Sequence, residues 1–64
     1  MIKFKITVET KNRSKIMIED EFDVDSKTEL TTAIHEAIGT DSVKIKDYIF
    51  KCENVNYICV EQVE

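Results

Sequence analysis

The chain of 64 residues is poor in the residues on which most enzymatic chemistry depends. It has one histidine, two cysteines, no tryptophan and no proline. With His35 as its single imidazole, and without a Cys-x-x-Cys motif or a phosphate-binding glycine loop, it is not expected to be an enzyme. No metal and no cofactor are predicted. Two cysteines are too few for a disulfide framework, so Cys52 and Cys59 are expected to be free thiols.

Long hydrophobic runs are also absent. No apolar stretch exceeds four residues, which is far too short to span a membrane. The first six residues alternate between apolar and polar and lack the continuous apolar core of a signal peptide. With 42% hydrophobic and 34% charged residues, the composition is that of a globular protein. We therefore expect one small cytoplasmic domain covering residues 1–64.

The charge is unevenly distributed. Residues 1–18 contain five basic residues and one acid, whereas residues 19–41 contain eight acids and one lysine. The acidic density is greatest in the segment EDEFDVD, residues 19–25. The net charge of −4 argues against direct binding to nucleic acid, because cationic contacts to phosphate supply most of that affinity.

The N-terminal third is predicted to be a β-hairpin. Apolar side chains occupy the even positions from Ile2 to Val8 and again from Ile16 to Val24, with Asp20 as the one exception, and polar residues 10–14 separate the two runs. If the chain turns at residues 11–13, opposed residues have numbers that sum to 24. The three charged pairs that this register creates are Glu9–Lys15, Lys5–Glu19 and Lys3–Glu21. Much of the acidic segment then complements the basic first strand.

Three acids of that segment are not paired by this register. Asp20 falls opposite Phe4, on the side expected to face the core, where an unpaired carboxylate is costly. A β-bulge near residues 19–21, or fraying at the sheet edge, is predicted to turn Asp20 outward. Asp23 and Asp25 come just before a predicted helix, where negative charge is favourable.

Residues 27–38 are predicted to form one α-helix. Ser26 and Glu29 have the spacing of a capping box. The helix carries one apolar stripe, formed by Leu30, Ala33, Ile34, Ala37 and Ile38. Gly39, the single glycine, follows at the position where a left-handed residue often ends a helix.

The C-terminal third is predicted to be a second hairpin, with its turn in the polar residues near Asn54 and Asn56. The last strand, around residues 57–60, is apolar at both parities and is therefore expected to be central. The resulting fold class is α+β in the order ββαββ. One four-stranded mixed sheet would have the helix across one face, with the first and last strands adjacent and parallel.

This order resembles the β-grasp superfold, as in ubiquitin-like proteins and the immunoglobulin-binding domains of protein G. The segments that carry the resemblance are MIKFKITV, FDVDSKTELTTAIHEAIG and DYIFKCENVNYICVEQV. Conjugation by ubiquitin-like proteins needs a C-terminal Gly-Gly, whereas this sequence ends Gln62-Val63-Glu64. The resemblance therefore implies a scaffold and no activity.

The leading functional hypothesis is a non-enzymatic module that binds another protein. Nine isoleucines and eight lysines suggest an AT-rich genome, such as that of a low-GC bacterium or its phage, and hence an inhibitor or regulator of a host protein. Two alternatives remain, an acidic nucleic-acid mimic that inhibits a DNA-binding protein and a homo-oligomeric structural protein. The candidate binding residues lie on the sheet face away from the helix, in the acidic segment and on the helix exterior: Lys3, Lys5, Met17, Ile49, Tyr57; Asp20, Asp23, Asp25; Thr31, His35.

Overall fold

The computed structural model describes residues 1–63, and in that range the chain forms five strands and one α-helix. The elements in chain order are β1 (Ile2–Thr10), β2 (Lys15–Phe22), α1 (Lys27–Ile38), β3 (Ser42–Ile45), β4 (Tyr48–Lys51) and β5 (Val55–Gln62). A single turn of 3-10 helix, Cys52–Asn54, joins β4 to β5. The predicted α+β class with one helix is confirmed. Glu64, the last residue of the C-terminal sequence discussed above, lies outside the described residues.

The first hairpin has the predicted register throughout. Lys3 is paired with Glu21, Lys5 with Glu19 and Glu9 with Lys15, and on the opposite face apolar residues pair except where Asp20 lies opposite Phe4. The turn is closed by the Thr10 amide, which donates to the Ser14 carbonyl at 2.9 Å. Arg13 adopts a positive φ of 68° in this turn, a conformation that tight reversals often require.

The sheet around β1 differs from the prediction in three respects. Among residues 1–63 there are two sheets, a three-stranded one in the order β2–β1–β5 and a two-stranded one formed by β3 and β4. The single four-stranded mixed sheet is therefore wrong. The first and last strands are neighbours as predicted, but β5 runs antiparallel to β1 and lies at an edge, so the predictions of a parallel pair and of a central last strand are also wrong.

A hairpin turn at Lys46 and Asp47 is the reason for these differences. Ile45 is paired with Tyr48 and Val43 with Phe50, so the chain reverses between β3 and β4. The predicted hairpin had its turn near Asn54 and Asn56 instead. The additional reversal changes the direction in which the chain enters β5. As a result, β5 runs antiparallel to β1. Lys46 adopts a positive φ of 55° in this turn.

The helix has the predicted bounds, Lys27–Ile38, and the predicted N-cap. The Ser26 hydroxyl accepts from the Glu29 amide at 3.2 Å, while a Glu29 carboxylate oxygen accepts from the Asp25 amide at 3.0 Å. Gly39 does not have the predicted left-handed conformation, because its φ is −74°. Thr40 ends the helix, since its hydroxyl and its amide both donate to the Ala37 carbonyl.

The core lies between the inner face of the three-stranded sheet and a layer made of α1 and the β3–β4 hairpin. Its buried members are Phe4, Ile6, Val8, Ile18, Leu30, Ile34, Val43, Ile45 and Phe50. The β1 side chains are the most completely enclosed, with Phe4, Ile6 and Val8 all at 0% exposure. The opposite face of the three-stranded sheet carries no described helix or strand.

Candidate protein-interaction surface

The open face of the three-stranded sheet brings four of the predicted binding residues together. Lys3 and Lys5 project from β1, Met17 from β2 and Tyr57 from β5, each at the parity opposite to that of the core-facing residues of its strand. Thr7 lies between Met17 and Cys59 in one cross-strand row. We call this group, Lys3, Lys5, Thr7, Met17, Tyr57 and Cys59, the open face.

The open face has large apolar side chains on both outer strands, and charged residues lie on either side of its middle row, Met17–Thr7–Cys59. Met17 is 64% exposed and Tyr57 is 43% exposed, which are high values for large hydrophobic side chains. The row Glu19–Lys5–Glu61 lies on one side of the Met17–Thr7–Cys59 row, and the row Lys15–Glu9–Tyr57 lies on the other. Exposed apolar side chains bordered by charged ones are a common composition of protein-binding patches.

Fewer charged pairs on this face come within ion-pair distance than the register alone suggests. Among residues 1–63 the one ion pair within 4.0 Å is diagonal, from Lys3 Nζ to Glu19 Oε2 at 3.5 Å. Lys3 and Glu21, although directly opposed, are not within that distance. A Glu9 carboxylate oxygen accepts instead from the Asn56 side-chain amide at 2.8 Å, beside an irregularity where β5 has an extra residue opposite β1. The margin of the open face therefore keeps charged groups available to a partner.

Asp20 is on the other face of the same sheet and is exposed. The pairing of β1 with β2 is continuous past Asp20, so the predicted β-bulge is wrong. Its position at the edge strand explains the exposure, since β2 has β1 as its one strand neighbour within residues 1–63. A carboxylate oxygen of Asp20 accepts from the Glu21 amide at 2.7 Å. The open face and Asp20 thus belong to different surfaces.

The remaining predicted residues are exposed but scattered. Asp23 and Asp25 lie in the link between β2 and α1, and Thr31 and His35 line a shallow depression on the outer side of the helix. Ile49 is 68% exposed on the outer side of the β3–β4 hairpin, next to Lys44 in the ladder. It was predicted to share a sheet face with Lys3 and Lys5. That prediction is wrong, because β4 belongs to the second sheet.

Lys46 is a structurally important residue that the sequence analysis did not identify. Its Nζ donates to the Glu21 carbonyl and lies 4.5 Å from the centre of the Phe22 ring. The tip of the β3–β4 hairpin is thereby fixed to the end of β2. A sequence signal did exist, because Val43 and Ile45 mirror Phe50 and Tyr48 about Lys46 and Asp47. That symmetry is typical of a two-residue hairpin loop.

An open cleft between α1 and β3 was also not predicted. It has a volume of about 240 Å³, and its walls are mainly apolar. The side chains at its entrance include Ala33 from the helix, Phe22 from β2 and the two lysines Lys44 and Lys46. Within residues 1–63, no three His, Cys, Asp or Glu side chains are grouped closely enough to hold a metal ion. No helix in the same range is long and apolar enough to cross a membrane.

The fold and the surface define a class, namely a small α+β protein with one helix and an antiparallel sheet that leaves one face open. Comparisons with protein-family models, with curated proteins and with solved structures find no match to this chain.

Proposed function

We propose that this protein is a non-enzymatic binding module that docks on another protein through the open face. The observation that carries the proposal is the exposure of Met17 and Tyr57, on the two outer strands of a sheet face that no described element covers. A partner that covers these side chains would gain hydrophobic free energy of about 25 cal/mol per Å² of apolar surface buried. The resemblance to β-grasp proteins implies only that the fold is a scaffold that presents a sheet face.

The proposed partner is a protein whose function this module inhibits or regulates in a host cell. Aromatic and methionine side chains are enriched at protein interfaces, and a few such side chains usually carry most of the binding energy. Lys3, Lys5 and Glu19, at the margin, would set orientation and association rate more than affinity. The origin in a phage or a low-GC bacterium remains part of the hypothesis and is supported by composition alone.

Capture experiments with matched variants test the proposal. Immobilised protein should retain a stoichiometric partner from a host lysate, and Met17→Lys should abolish that retention. Ile49→Lys is the matched control, because Ile49 is equally exposed, at 68% against 64%, on the other sheet. Retention by Ile49→Lys with loss in Met17→Lys supports the open face. Equal retention by both variants, or no partner for the folded wild-type protein, contradicts the proposal.

A second candidate function is mimicry of nucleic acid. It is favoured by the exposure of all five acids in residues 19–25, of which one forms an ion pair within 4.0 Å. Binding of such a mimic to a DNA-binding protein should weaken steeply as salt rises from about 0.05 M to about 0.5 M, because exposed charges are screened over a few ångströms at the higher value. Capture by the open face should change little over the same range.

A further inference from the structure

The directions of the backbone hydrogen bonds show which groups each edge strand of the three-stranded sheet leaves free. The Val63 amide donates to the Lys3 carbonyl at 3.0 Å, so odd-numbered residues of β1 bond to β5. The bond from Thr10 to Ser14 shows that even-numbered residues of β1 bond to β2. By the same alternation, Ile58 and Val60 in β5 direct their backbone groups away from β1.

The outer edge of β2 is protected against pairing with another strand. The β2 residues whose backbone groups point away from β1 are Lys15, Met17, Glu19 and Glu21, and three of these residues are charged. The Glu21 carbonyl already accepts from Lys46 Nζ. Charged side chains and covered carbonyls are the devices by which edge strands avoid association.

The outer edge of β5 lacks these devices. Residues 55–62, VNYICVEQ, contain no lysine, no proline and one charged residue, Glu61. Three of the four central residues, Tyr57, Ile58 and Val60, have high β-propensity. No strand among residues 1–63 pairs with β5 on the side away from β1. A long, nearly uncharged edge strand of this composition is an expected site of strand addition.

We propose that β5 pairs antiparallel with β5 of a second copy of this chain, with Cys59 opposite Cys59 of the second copy. When two copies of one strand pair antiparallel, the numbers of opposed residues add to a constant sum, and this sum defines the register. Because the even-numbered residues Ile58 and Val60 carry the free backbone groups in both copies, even-numbered residues must be opposed to even-numbered ones, and the sum must be even. The sum of 118 pairs Ile58 with Val60 and Tyr57 with Glu61. The two Glu61 side chains are then four residues apart along the strand, so no like charges are opposed.

The neighbouring registers are less favourable. A sum of 116 places Asn56, which lies at the irregularity between β5 and β1, opposite Val60. A sum of 120 places the polar side chain of Gln62 opposite Ile58 and brings the two Glu61 residues within two positions of each other. A second copy is therefore the occupant that this edge fits best, and it fits in one register.

The dimer would contain one six-stranded antiparallel sheet with β5 and its copy at the centre. Because the symmetry axis of an antiparallel strand pair is perpendicular to the sheet, both helices lie on one face and both open faces lie on the other. Dimerisation goes beyond the proposed function, since it concerns the sheet edge and not the sheet face. It would also double the open face available to a partner.

Oligomeric state with matched variants tests the proposal. Light scattering over rising concentration should show wild-type dimers at about 0.1 mM chain under reducing conditions. Cys59→Lys, which places two lysines opposite each other at the axis, should weaken the dimer about tenfold or more. Met17→Lys, on the same sheet face but two strands away, should remain dimeric. A wild-type monomer throughout this range, or loss of the dimer in both variants, overturns the proposal.

Oxidative cross-linking tests the register. In the non-hydrogen-bonded position proposed for Cys59, the two Cα atoms would be about 4.5 Å apart, which a disulfide can bridge. Mild oxidation should cross-link wild type and Cys52→Ala, but not Cys59→Ala. The matched control is Tyr57→Cys/Cys59→Ala, in which an exposed cysteine lies about 13 Å from its copy along the strand and should react slowly. Cross-linking of this control as fast as wild type overturns the register.

These results are separable from those of the capture experiment. A module that binds its partner as a monomer leaves the open-face proposal intact and contradicts the β5 pairing. A dimer that captures no partner contradicts the open-face proposal and leaves the β5 pairing intact.

Discussion

The two hairpins of this protein are attached to the core in different ways. In the β1–β2 hairpin, β1 is bonded on both sides, to β2 and to β5, and its inward side chains Phe4, Ile6 and Val8 are fully buried. The β3–β4 hairpin forms a sheet of its own. Its attachment consists of the side chains of Val43, Ile45 and Phe50 in the core, together with the contact of Lys46 at the end of β2.

The difference indicates that the two regions should differ in local stability. An isolated two-stranded hairpin is marginally stable in water, so β3 and β4 depend on side-chain burial to stay folded. β1 has the same burial and an additional hydrogen-bonded ladder. The free energy of local opening is therefore expected to be lowest in the β3–β4 hairpin and highest in β1.

The largest expected effect compares two buried phenylalanines, one in each region. Phe4 is 0% exposed and Phe50 is 8% exposed. Phe4→Ala should cost about 4 kcal/mol, which is comparable with the whole stability of a chain of this size and should leave it largely unfolded. Phe50→Ala should cost less, about 3 kcal/mol, because Phe50 lies in a hairpin that can shift to fill the space. Chemical denaturation measures the loss in Phe50→Ala, and circular dichroism without denaturant shows how much of Phe4→Ala remains folded.

Hydrogen exchange shows whether the regions respond separately. In Phe50→Ala, amides of β3 and β4 should lose protection while those of β1 keep theirs. Met17→Ala and Ile49→Ala are the exposed controls, one in each region, and each should change stability by no more than about 0.5 kcal/mol. Uniform loss of protection over all strands in Phe50→Ala would show that the two hairpins unfold as one unit.

A smaller effect is expected at Lys46, where the two regions meet. Lys46→Met keeps the aliphatic stem but removes the hydrogen bond to Glu21 and the cation above the Phe22 ring, at a cost of about 1 kcal/mol. Lys46→Gly removes the same contacts, but it also relieves the positive φ at this position, worth roughly 0.5–1 kcal/mol. Thermal or chemical denaturation should therefore find Lys46→Gly more stable than Lys46→Met. The reverse order would mean that the backbone conformation is not strained.

The first hairpin could be predicted from the sequence because its information is local and redundant. Apolar alternation and three opposite-charge pairs agree on one register, and a shift by one residue would turn every core side chain outward. The helix was equally determined, by the Ser26 cap and by an apolar stripe of regular spacing. In each case several short-range signals indicated the same structure.

The second half lacked that redundancy. The two asparagines at positions 54 and 56 resemble a turn more closely than the two-residue loop at Lys46 and Asp47 does. A lysine with positive φ is an uncommon turn residue, so propensity alone does not mark this position. The direction of β5 then followed from the number of reversals before it. One missed turn therefore changed the strand order and moved Ile49 off the open face.

The smallest expected effect concerns the ion pair at the margin of the open face. Lys3 and Glu19 are separated by 3.5 Å, and their side chains are 41% and 49% exposed. Exposed pairs of this kind are usually worth about 0.2–1 kcal/mol, and salt screens them. A double-mutant cycle with Lys3→Thr and Glu19→Thr should therefore give a coupling of about 0.5 kcal/mol or less that disappears in about 1 M salt.

The directly opposed pair Lys5–Glu19 is the control for this measurement. The two residues face each other in the ladder, but they do not come within 4.0 Å as an ion pair. Their cycle should give a coupling closer to zero than that of Lys3–Glu19, because the shorter distance gives the stronger attraction. A larger coupling for Lys5–Glu19 would show that register, and not the diagonal contact, determines which charges interact on this face. The attraction between directly opposed charges such as Lys5 and Glu19 would then stabilise the register more than the diagonal ion pair between Lys3 and Glu19 does.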